Sequence, residues 1–536
     1  MTNDEIGDAL KLTAQLMELH NENPFKIRAL NNISFNLSKV TSSLAGLTLD
    51  QLEKMDGIGK GIANAILELN KTGTTKELKA LIKKTPTGVI EMLSIKGIGP
   101  KKVGALWREL GIETIGELLY ACEENRLVTL KGFGEKTQTS VKQNIEFKLA
   151  NAGKFHYARA LGAAQEIIGQ LQKQARPGDL ISFTGAIRRR CEIIEKIELL
   201  ADDGAKIDPA SLENSVGIKV ELTRSGKKEF AAALFRTTAS ADHLTQLKLK
   251  KTDLNFNSEK EIYASLGMQY ILPELREGLG EIELAKKNSI PKLVELSDLK
   301  GILHNHTTYS DGLNTLRQMA EECKKRGYEY LGICDHSRSA FYANGLEPNR
   351  VLAQQKEIDA LNKELAPFRI FKGIESDILN DGSLDYDKSI LKTFDMVVAS
   401  VHSVLKMDKD RATKRLIKAI ENPYTTILGH PTGRLILMRA GYPIDHKKVI
   451  DACAANGVIM ELNANPYRLD IDWRWISHCV KKKVMISINP DAHELEGYDD
   501  MFFGVCAARK GMLTKEMCFN ALTLEEMEKH LLSKKS

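Results

Sequence analysis

The sequence predicts a multidomain protein in which a helical region and an α+β region precede a parallel β/α barrel. Three observations indicate this fold class. The chain of 536 residues is too long for a single hydrophobic core. Its first 150 residues contain short amphipathic helices separated by glycine turns. From residue 298 onward, apolar runs alternate with helical stretches, as in a parallel sheet whose strands are connected by helices.

The composition is that of an ordinary globular protein, with 43% hydrophobic and 27% charged residues. The net charge of +5 is compatible with nucleic-acid binding but does not require it. The eight cysteines contain no CxxC pair, which argues against a zinc ribbon or a disulfide framework. The acidic N-terminus lacks an apolar signal core, and no apolar run reaches the length of a bilayer span. We therefore expect a cytoplasmic protein without membrane contact.

A Gly-x-Gly turn recurs three times in the helical region, in MDGIGKGIA (55–63), IKGIGPKKVG (95–104) and LKGFGEKTQ (130–138). Such a turn before a helix directs backbone N–H groups outward, where they can bind a phosphate without sequence preference. The pattern resembles the helix-hairpin-helix motif of DNA-repair proteins, which grips the sugar-phosphate backbone. The predicted DNA-binding residues are Gly57, Gly59, Lys60, Gly97, Gly99, Lys101, Lys102, Gly132, Gly134 and Lys136.

The alternative for these turns is that at least one copy only packs helices together. The third copy, which has fewer cationic neighbours, fits this alternative best.

The region after the third copy contains apolar runs that are typical of strands. The predicted strands, which lie between helices, are DLISFTGAI (179–187), GIKVELTRS (217–225) and EFAAALF (229–235). The stretch 278–296 is a predicted linker.

The barrel region opens with GILHNHTTYSDG (301–312). In a strand, His304 and His306 project to the same side, where two neutral imidazoles can share a metal. Nearly every later strand-like run also ends on a side chain that can ligate a metal. Because the carboxyl ends of barrel strands converge on one face, we predict a single cluster. Its nine candidate ligands are His304, His306, Asp311, His336, Glu375, His402, His430, Asp491 and His493.

This pattern resembles the PHP (polymerase and histidinol phosphatase) domain, a distorted (β/α)7 barrel with a trinuclear metal centre, over residues 298–536. The resemblance implies three divalent ions, and these ligand types suit manganese, zinc or iron. Glu375 would bridge two of the ions. The implied groups are His304, His306, Glu375 and Asp491 for one ion, Glu375, His402 and His430 for a second, and Asp311, His336 and His493 for the third.

Two arginines near these ligands are the candidate catalytic residues. Arg434 and Arg338 are predicted to hold the phosphate oxygens, with a surface or loop-capping role as the alternative. Asn465 and Arg468 resemble family positions at the same mouth. Asp335 is expected to orient ligands rather than bind an ion.

The order of the regions, with helix-hairpin-helix motifs first, then an α+β region and then a PHP domain, resembles that of bacterial family-X DNA polymerases. Short segments along the chain also resemble sequences of that family: ENPFKIRAL (22–30), EIYASLGMQYILPELRE (261–277) and GEIE (280–283). The resemblance implies four domains. They are an N-terminal helical domain with the first hairpin (1–85), a fingers-like domain with two hairpins (86–150), a palm and thumb-like nucleotidyltransferase domain (151–290) and the PHP domain (298–536).

The palm departs from the family pattern of a Gly-Ser, two arginines, an Asp-x-Asp pair and a third aspartate. The corresponding residues here are Gly185, Arg188, Arg189, Lys196, Glu198 and Glu221. Lys196 falls at the aspartate pair and adds a cation where two magnesium ions should bind. At ~4 Å and an effective dielectric of about 20, each such repulsion is about 4 kcal/mol. We therefore predict no magnesium at the palm and little or no nucleotide transfer, although Glu192 and Glu195 leave a shifted alignment open.

These features together predict a DNA-repair phosphoesterase whose palm holds DNA while the PHP domain cuts it. The resemblance implies manganese-dependent 3′→5′ exonuclease activity and processing of abasic sites or 3′-phosphates. The expected partner is gapped, nicked or 3′-end DNA, bound without sequence preference. Three alternatives remain: an active DNA-directed DNA polymerase with a PHP nuclease, a histidinol-phosphatase-like enzyme for small molecules tethered to DNA, and a non-catalytic scaffold. The complete ligand set argues against the scaffold, and the three hairpins argue against the small-molecule phosphatase.

Overall fold

The computed structural model describes residues 1–37, 40, 43–123, 126–248 and 256–535. Within these residues the chain forms two compact units, Met1–Ala152 and Gly153–Ser536. The predicted fold class is confirmed: a helical unit is followed by a unit that contains an α+β part and a parallel barrel. The predicted four-domain boundaries stay predictions.

The first unit is formed by helices around one apolar core. Its first helix begins at a capping box, in which Thr2 and Glu5 each accept the other's backbone N–H. The helices are α1 (Asn3–Leu19), α2 (Pro24–Leu37), α3 (Leu49–Glu53), α4 (Lys60–Thr72), α5 (Lys76–Lys83), α6 (Thr87–Met92), α7 (Pro100–Leu110), α8 (Ile115–Glu123) and α9 (Glu135–Ala150).

The palm part of the second unit contains two small sheets. Strand β4 is antiparallel to β2 and parallel to β5, and β1 pairs with β3 in an antiparallel ladder. The elements are β1 (Phe155–His156), α10 (Tyr157–Gln174), β2 (Ile181–Thr184), α11 (Gly185–Arg188), β3 (Ile193–Ile194), β4 (Ile197–Asp202), β5 (Val220–Ser225), α12 (Phe230–Thr238), α13 (Ala241–Leu247), α14 (Glu259–Ser265) and α15 (Glu281–Lys286).

Two predictions for this part are wrong. Residues 230–235 of EFAAALF form the first two thirds of α12 instead of a strand, because alanine has the highest intrinsic helix propensity. The predicted linker 278–296 contains α15, whose Ile282 and Ala285 are buried in an apolar cluster.

The rest of the second unit is a barrel of seven parallel strands in the order β12-β11-β10-β9-β8-β7-β6. The edges meet just beyond β6 and β12, where the His306 N–H donates to the Ala492 carbonyl at 2.8 Å. The strands are β6 (Gly301–Ile302), β7 (Tyr330–Ile333), β8 (Arg369–Asp377), β9 (Met396–Ser400), β10 (Ile427–Leu428), β11 (Ile459–Asn463) and β12 (Ile486–Asn489).

Helices cover the outside of this barrel, and their apolar faces form its largest core with the strands. They are α16 (Leu316–Lys325), α17 (Pro348–Glu364), α18 (Lys388–Leu391), α19 (Lys409–Ile420), α20 (His446–Asn456), α21 (Ile476–Lys481), α22 (Met501–Lys510) and α23 (Leu524–Lys535). Among the helices of the described residues, none combines the length and apolarity of a bilayer span.

Close packing of β7 against the chain that leaves β6 depends on a glycine. A Cβ at Gly332 would lie 2.7 Å from the Leu303 carbonyl oxygen, which is closer than a methyl group tolerates. The absence of a side chain at this position therefore fixes the backbone that leads directly into His304.

We expect Gly332→Ala to destabilise the barrel by about 1–3 kcal/mol, as over-packing of a core typically does. The measurement is the free energy of unfolding from urea denaturation followed by tryptophan fluorescence. Gly169→Ala is the control, because Gly169 is exposed in α10 with no described atom within 4 Å of the added Cβ. It should stabilise the protein by about 0.5–1 kcal/mol. Equal midpoints for the two variants would contradict the packing argument.

Candidate functional site

The barrel strands deliver the candidate ligands to one edge of the sheet. Four ligands follow their strands by two residues: His304 after β6, His402 after β9, His430 after β10 and Asp491 after β12. Glu375 lies near the end of β8. Because all seven strands are parallel, their carboxyl ends lie on the same face. The structure therefore brings together residues that are distant in the chain.

Glu375 is at the centre of this cluster and is fully buried. Its Oε1 atom lies 3.0 Å from His430 Nε2 and 3.1 Å from His402 Nε2. Its Oε2 atom lies 3.0 Å from His336 Nδ1 and 3.6 Å from His306 Nε2. Both carboxylate oxygens thus face imidazole nitrogens, as a bridging ligand requires.

Potential ligand atoms that lie within 4.8 Å of one another form three groups, and Glu375 belongs to two of them. The groups are His304, His306, Glu375 and Asp491; His336, Glu375 and His402; and His306, Asp311, His336 and His493. The first group is identical to the first predicted ligand group. The third group contains the three residues predicted for the third ion, together with His306. In the second group His336 stands where His430 is expected. The assignment of ligands to ions stays a prediction.

Several buried polar atoms of the cluster have no hydrogen-bond partner in the described part of the chain. They are His304 Nε2, His306 Nδ1, His336 Nδ1, His430 Nδ1 and Glu375 Oε2. Buried side-chain polar atoms are normally paired, so atoms left over around one space indicate a missing partner. Imidazole nitrogens and carboxylate oxygens without cysteine suit divalent manganese, zinc or iron. The residues present therefore fit a metal centre.

The cluster attracts positive charge strongly. Burial would raise the pKa of Glu375, but the charges of His402 and His304 hold it well below its usual value. Burial would likewise lower the pKa of His402, but the charge of Glu375 and a hydrogen bond to Asp377 raise it to about 10. Burial lowers the pKa of His306 to about 3. Protons on some imidazoles balance the buried carboxylates, and a bound cation would replace those protons.

One side of the cluster is open. The side chains of Asp311 and His493 are 32% and 38% exposed, whereas those of His304, His306 and Glu375 are fully buried. His493 Nε2 lies 3.4 Å from Asp311 Oδ1. A ligand from solvent therefore meets these two residues first.

Sequence reasoning missed Glu461, because the run GVIMELNANP contains no histidine. Glu461 is fully buried in β11, and its Oε1 accepts hydrogen bonds from His304 Nδ1 at 2.7 Å and Asn489 Nδ2 at 2.9 Å. Its Oε2 accepts the backbone N–H of His430 at 2.6 Å. With Nδ1–H engaged, the lone pair of His304 is at Nε2 and faces the cluster. An acidic residue within an apolar strand was the available signal.

Two aspartates support the site in a similar way. Asp377 Oδ1 accepts a hydrogen bond from His402 Nδ1 at 2.6 Å. Asp335 accepts from the backbone N–H and the hydroxyl of Thr307, at 2.8 and 2.7 Å, and so holds the loop that follows His306. These contacts agree with the orienting role expected of Asp335.

The two predicted catalytic arginines bind protein acceptors. Arg434 donates to the Arg468 carbonyl at 2.9 Å, to Asp472 Oδ2 at 2.6 Å and to the Leu469 carbonyl. Arg338 donates to the Asp385 carbonyl at 2.8 Å. Their phosphate contacts stay predictions.

Arg468 lies nearer to the metal-ligand residues. Its Nε is 3.9 Å from Asp491 Oδ2, and its side chain is 23% exposed. It is therefore the arginine best placed to meet a phosphate at the cluster.

The palm carries an ion-pair network at its predicted degenerate site. Glu198 in β4 and Glu221 in β5 are direct neighbours across the sheet. Lys196 Nζ lies 2.6 Å from Glu221 Oε2 and 3.3 Å from Glu198 Oε1, and Lys219 Nζ lies 2.6 Å from Glu221 Oε1. The hydrogen bonds from Lys196 and Lys219 lower the pKa of Glu221 to about 2. The carboxylates are thus neutralised by ammonium groups of the protein itself.

The remaining predicted palm residues also make internal contacts. Gly185 has a φ of 62°, and a Cβ there would lie 1.7 Å from Glu198 Oε2. Arg188 donates to both carboxylate oxygens of Glu259, at 2.9 and 2.6 Å. Arg189 donates to Glu277 Oε1 at 3.2 Å. Both arginines therefore connect the sheet end of the palm part to its later segment, which contains Glu259 and Glu277.

The three glycine turns have the same backbone conformation. The first glycine of each turn is left-handed, with φ values of 77° at Gly57, 96° at Gly97 and 88° at Gly132. The second glycines, Gly59, Gly99 and Gly134, are the N-caps of α4, α7 and α9 and make no side-chain capping bond. The predicted lysines lie in the first turns of these helices. Lys102 Nζ also lies 5.2 Å from the centroid of the buried Phe133 ring.

Helical hairpins and a barrel with this cluster define a DNA-binding protein with a phosphoesterase domain. Residues 1–75 match the helix-hairpin-helix domain family, residues 89–143 a SAM-like helix-hairpin-helix tandem and residues 303–465 the PHP domain family. A DNA polymerase/3′-5′ exonuclease PolX from Bacillus subtilis (strain 168) is 36% identical over 99% of both chains. The chain therefore belongs to the bacterial family-X DNA polymerases with a C-terminal PHP domain.

Other relatives match about a third of the chain. A probable phosphatase from Thermoanaerobacter sp. (strain X514) is 32% identical over 32% of this chain and 67% of its own length. A probable phosphatase from Acetivibrio thermocellus is 27% identical over 35% of this chain and 78% of its own length.

We expect Glu461→Gln to weaken divalent-metal binding by about 10–100-fold, the usual effect of removing a carboxylate that orients a histidine ligand. The glutamine amide has one acceptor oxygen, whereas the Glu461 carboxylate accepts hydrogen bonds from three donors. The measurement is manganese affinity by electron paramagnetic resonance, with metal content per chain determined separately.

Glu281→Gln is the matched control, since Glu281 forms a buried pair with His243 Nδ1 at 2.5 Å outside the cluster. It should leave the manganese affinity unchanged. Equal affinities for Glu461→Gln and the unaltered protein would show that Glu461 does not orient His304.

Proposed function

We propose that this protein is a DNA-repair phosphoesterase that shortens DNA from the 3′ end at its PHP centre and has no nucleotide-transfer activity in its palm. The observation that supports this most directly is the gathering of nine metal-type side chains at one mouth of the barrel. The Bacillus subtilis relative is named both a DNA polymerase and a 3′-5′ exonuclease. Of these two activities, the side chains of this chain favour the second.

The chemistry proposed for the PHP centre is hydrolysis of a phosphodiester bond. Water adds to phosphorus while the bond from phosphorus to the leaving oxygen breaks. Bound divalent ions would lower the pKa of water and stabilise the charged oxygens of such a displacement. Glu375 and the histidines around it would hold the ions, with His304 oriented by Glu461 and His402 by Asp377.

The residues at the open side would bind the substrate. Arg468 lies 3.9 Å from Asp491 and can reach a phosphate oxygen near the cluster. Asp311 and His493 are the partly exposed members of the cluster, so a DNA end would approach past them. The buried members behind them would be shielded from bulk water, which strengthens their charge interactions.

The ion pairs at the palm argue against nucleotide transfer. Two magnesium ions would have to displace Lys196 and Lys219 from Glu221 before they could bind. Two-metal phosphoryl transfer requires those ions between carboxylates. We infer that the palm serves to hold DNA and to support the barrel.

The nuclease proposal is tested with a labelled primer–template, manganese and all four deoxynucleotides. We expect the unaltered protein to shorten the primer and His304→Ala to reduce shortening to background, because His304 is a central candidate ligand. His530→Ala is the matched control, since His530 lies on α23 outside the cluster and should keep full activity.

Other results of this experiment would point to a different function. Primer extension would contradict the inactive palm. Hydrolysis of p-nitrophenyl phosphate without any shortening of DNA would favour the small-molecule phosphatase. Absence of both activities in a metal-loaded protein would favour the scaffold.

The hairpins should supply affinity that depends on salt. We expect Lys101→Ala with Lys102→Ala to weaken DNA binding and to reduce the slope of log affinity against log salt by about 1.8, that is about 0.9 for each phosphate that a lysine no longer neutralises. The measurement is fluorescence anisotropy of labelled duplexes with two unrelated sequences at several salt concentrations.

The matched control is Lys324→Ala with Lys325→Ala, which removes the same charge from the barrel helix α16. It should leave the slope unchanged. A loss of affinity on one duplex only would contradict binding through the backbone.

A further inference from the structure

A histidine of the palm contacts the mouth of the barrel. His156 in β1 is buried, and its Nε2–H donates to the Ile436 carbonyl at 2.8 Å. Its ring also packs edge-on against the Tyr467 ring, with the centroids 4.5 Å apart. Because a carbonyl only accepts hydrogen bonds, Nε2 carries the proton. The contact joins the palm to two barrel loops at once.

Those two loops follow β10 and β11 and are bonded to each other. The Ile436 N–H donates to the Tyr467 carbonyl at 2.6 Å. Arg434, in the loop after β10, donates to the Arg468 carbonyl, in the loop after β11, at 2.9 Å. Arg468 in turn lies 3.9 Å from Asp491. A short series of contacts therefore leads from the palm to the candidate metal centre.

A second palm residue, Glu192, also contacts this region of the barrel. Glu192 accepts hydrogen bonds from Trp473 Nε1 at 3.2 Å and from Arg474 Nη1 at 2.9 Å. Arg474 and Arg434 both pair with Asp472, at 3.0 and 2.6 Å. The loop that carries Arg468 is therefore contacted by two palm residues, His156 and Glu192.

The surrounding contact between palm and barrel is closely packed. The remaining cavity there, lined by Tyr157, Pro466, Trp473 and Phe503 among others, has a volume of about 10 Å³. Beside it the buried Lys510 donates to the Arg189 carbonyl at 3.0 Å and to Glu277 at 2.6 Å. Buried polar groups left without partners cost about 1–3 kcal/mol each. The barrel loops therefore depend on the palm for their position.

We propose that His156 is a positioning residue for the PHP centre, through which the palm sets where Arg468 meets the phosphate of a DNA end. This inference rests on the proposed nuclease function. It gives the palm a role in the reaction that needs no chemistry of its own.

The test compares His156→Leu with His156→Gln in the full chain. Leucine keeps apolar volume and removes the donor, whereas the glutamine amide places an N–H near the position of Nε2. We expect His156→Leu to lower kcat for DNA shortening at least tenfold, because a misplacement of about 1 Å can reduce a rate by about 100-fold. KM for DNA and manganese content should stay unchanged, and the thermal midpoint should fall slightly because the Ile436 carbonyl loses its donor. His156→Gln should retain most of kcat.

Hydrogen exchange provides a readout that does not depend on activity. Amides in 432–440 and 464–470 should exchange faster in His156→Leu than in the unaltered protein, and His156→Gln should restore their protection. If the unaltered protein does not shorten DNA, the proposed function fails, while the exchange data still decide whether His156 holds the loops.

Any one of the following results would overturn the inference. The first is an unchanged kcat in His156→Leu when the unaltered protein is active. The second is an equal loss of kcat in both variants. The third is unchanged exchange of the two loops, or a fall in activity that follows a fall in metal content.

Discussion

The buried carboxylate of Glu375 imposes the main constraint on the second unit. A charge without solvent is costly unless opposite charges surround it, and here imidazoles approach both of its oxygens at 3.0 Å. These imidazoles come from different strands, so the charge is balanced only when the barrel is nearly closed and its strand ends lie together. Residues that orient the imidazoles, such as Glu461 and Asp377, are part of the same requirement. Fold and site therefore depend on each other.

The palm meets a related electrostatic requirement in a different way. Glu198 and Glu221 lie side by side on neighbouring strands, which would repel without a cation between them. Lys196 supplies that cation permanently from the chain itself. An ammonium group neutralises the pair but offers no vacant coordination position to a nucleotide. Under the proposed function, the two regions would use carboxylates for opposite purposes, one to hold ions and one to build structure.

Much of the fold and of the candidate site is predictable from local patterns. The two-residue alternation of a strand places His304 and His306 together, and parallel strands bring their ends to one edge. Glu461 cannot be found by looking for histidines, because its role depends on His304 and His430 being beside it in space. The partners of Arg434 are likewise set by a loop that lies over thirty residues later in the chain. The strand prediction for EFAAALF is wrong because a short apolar run does not distinguish strand from helix.

The three left-handed glycine turns of the first unit have a consequence for movement along DNA. Each turn exposes a helix N-terminus that can hold one phosphate weakly and without regard to sequence. When several weak contacts belong to one rigid body, release of one leaves the others in place, and the free one rebinds at high effective concentration. Such a body can step from phosphate to phosphate without leaving the strand. If all three turns bind DNA as predicted, three weak contacts would permit one-dimensional search, which a single tight contact would prevent.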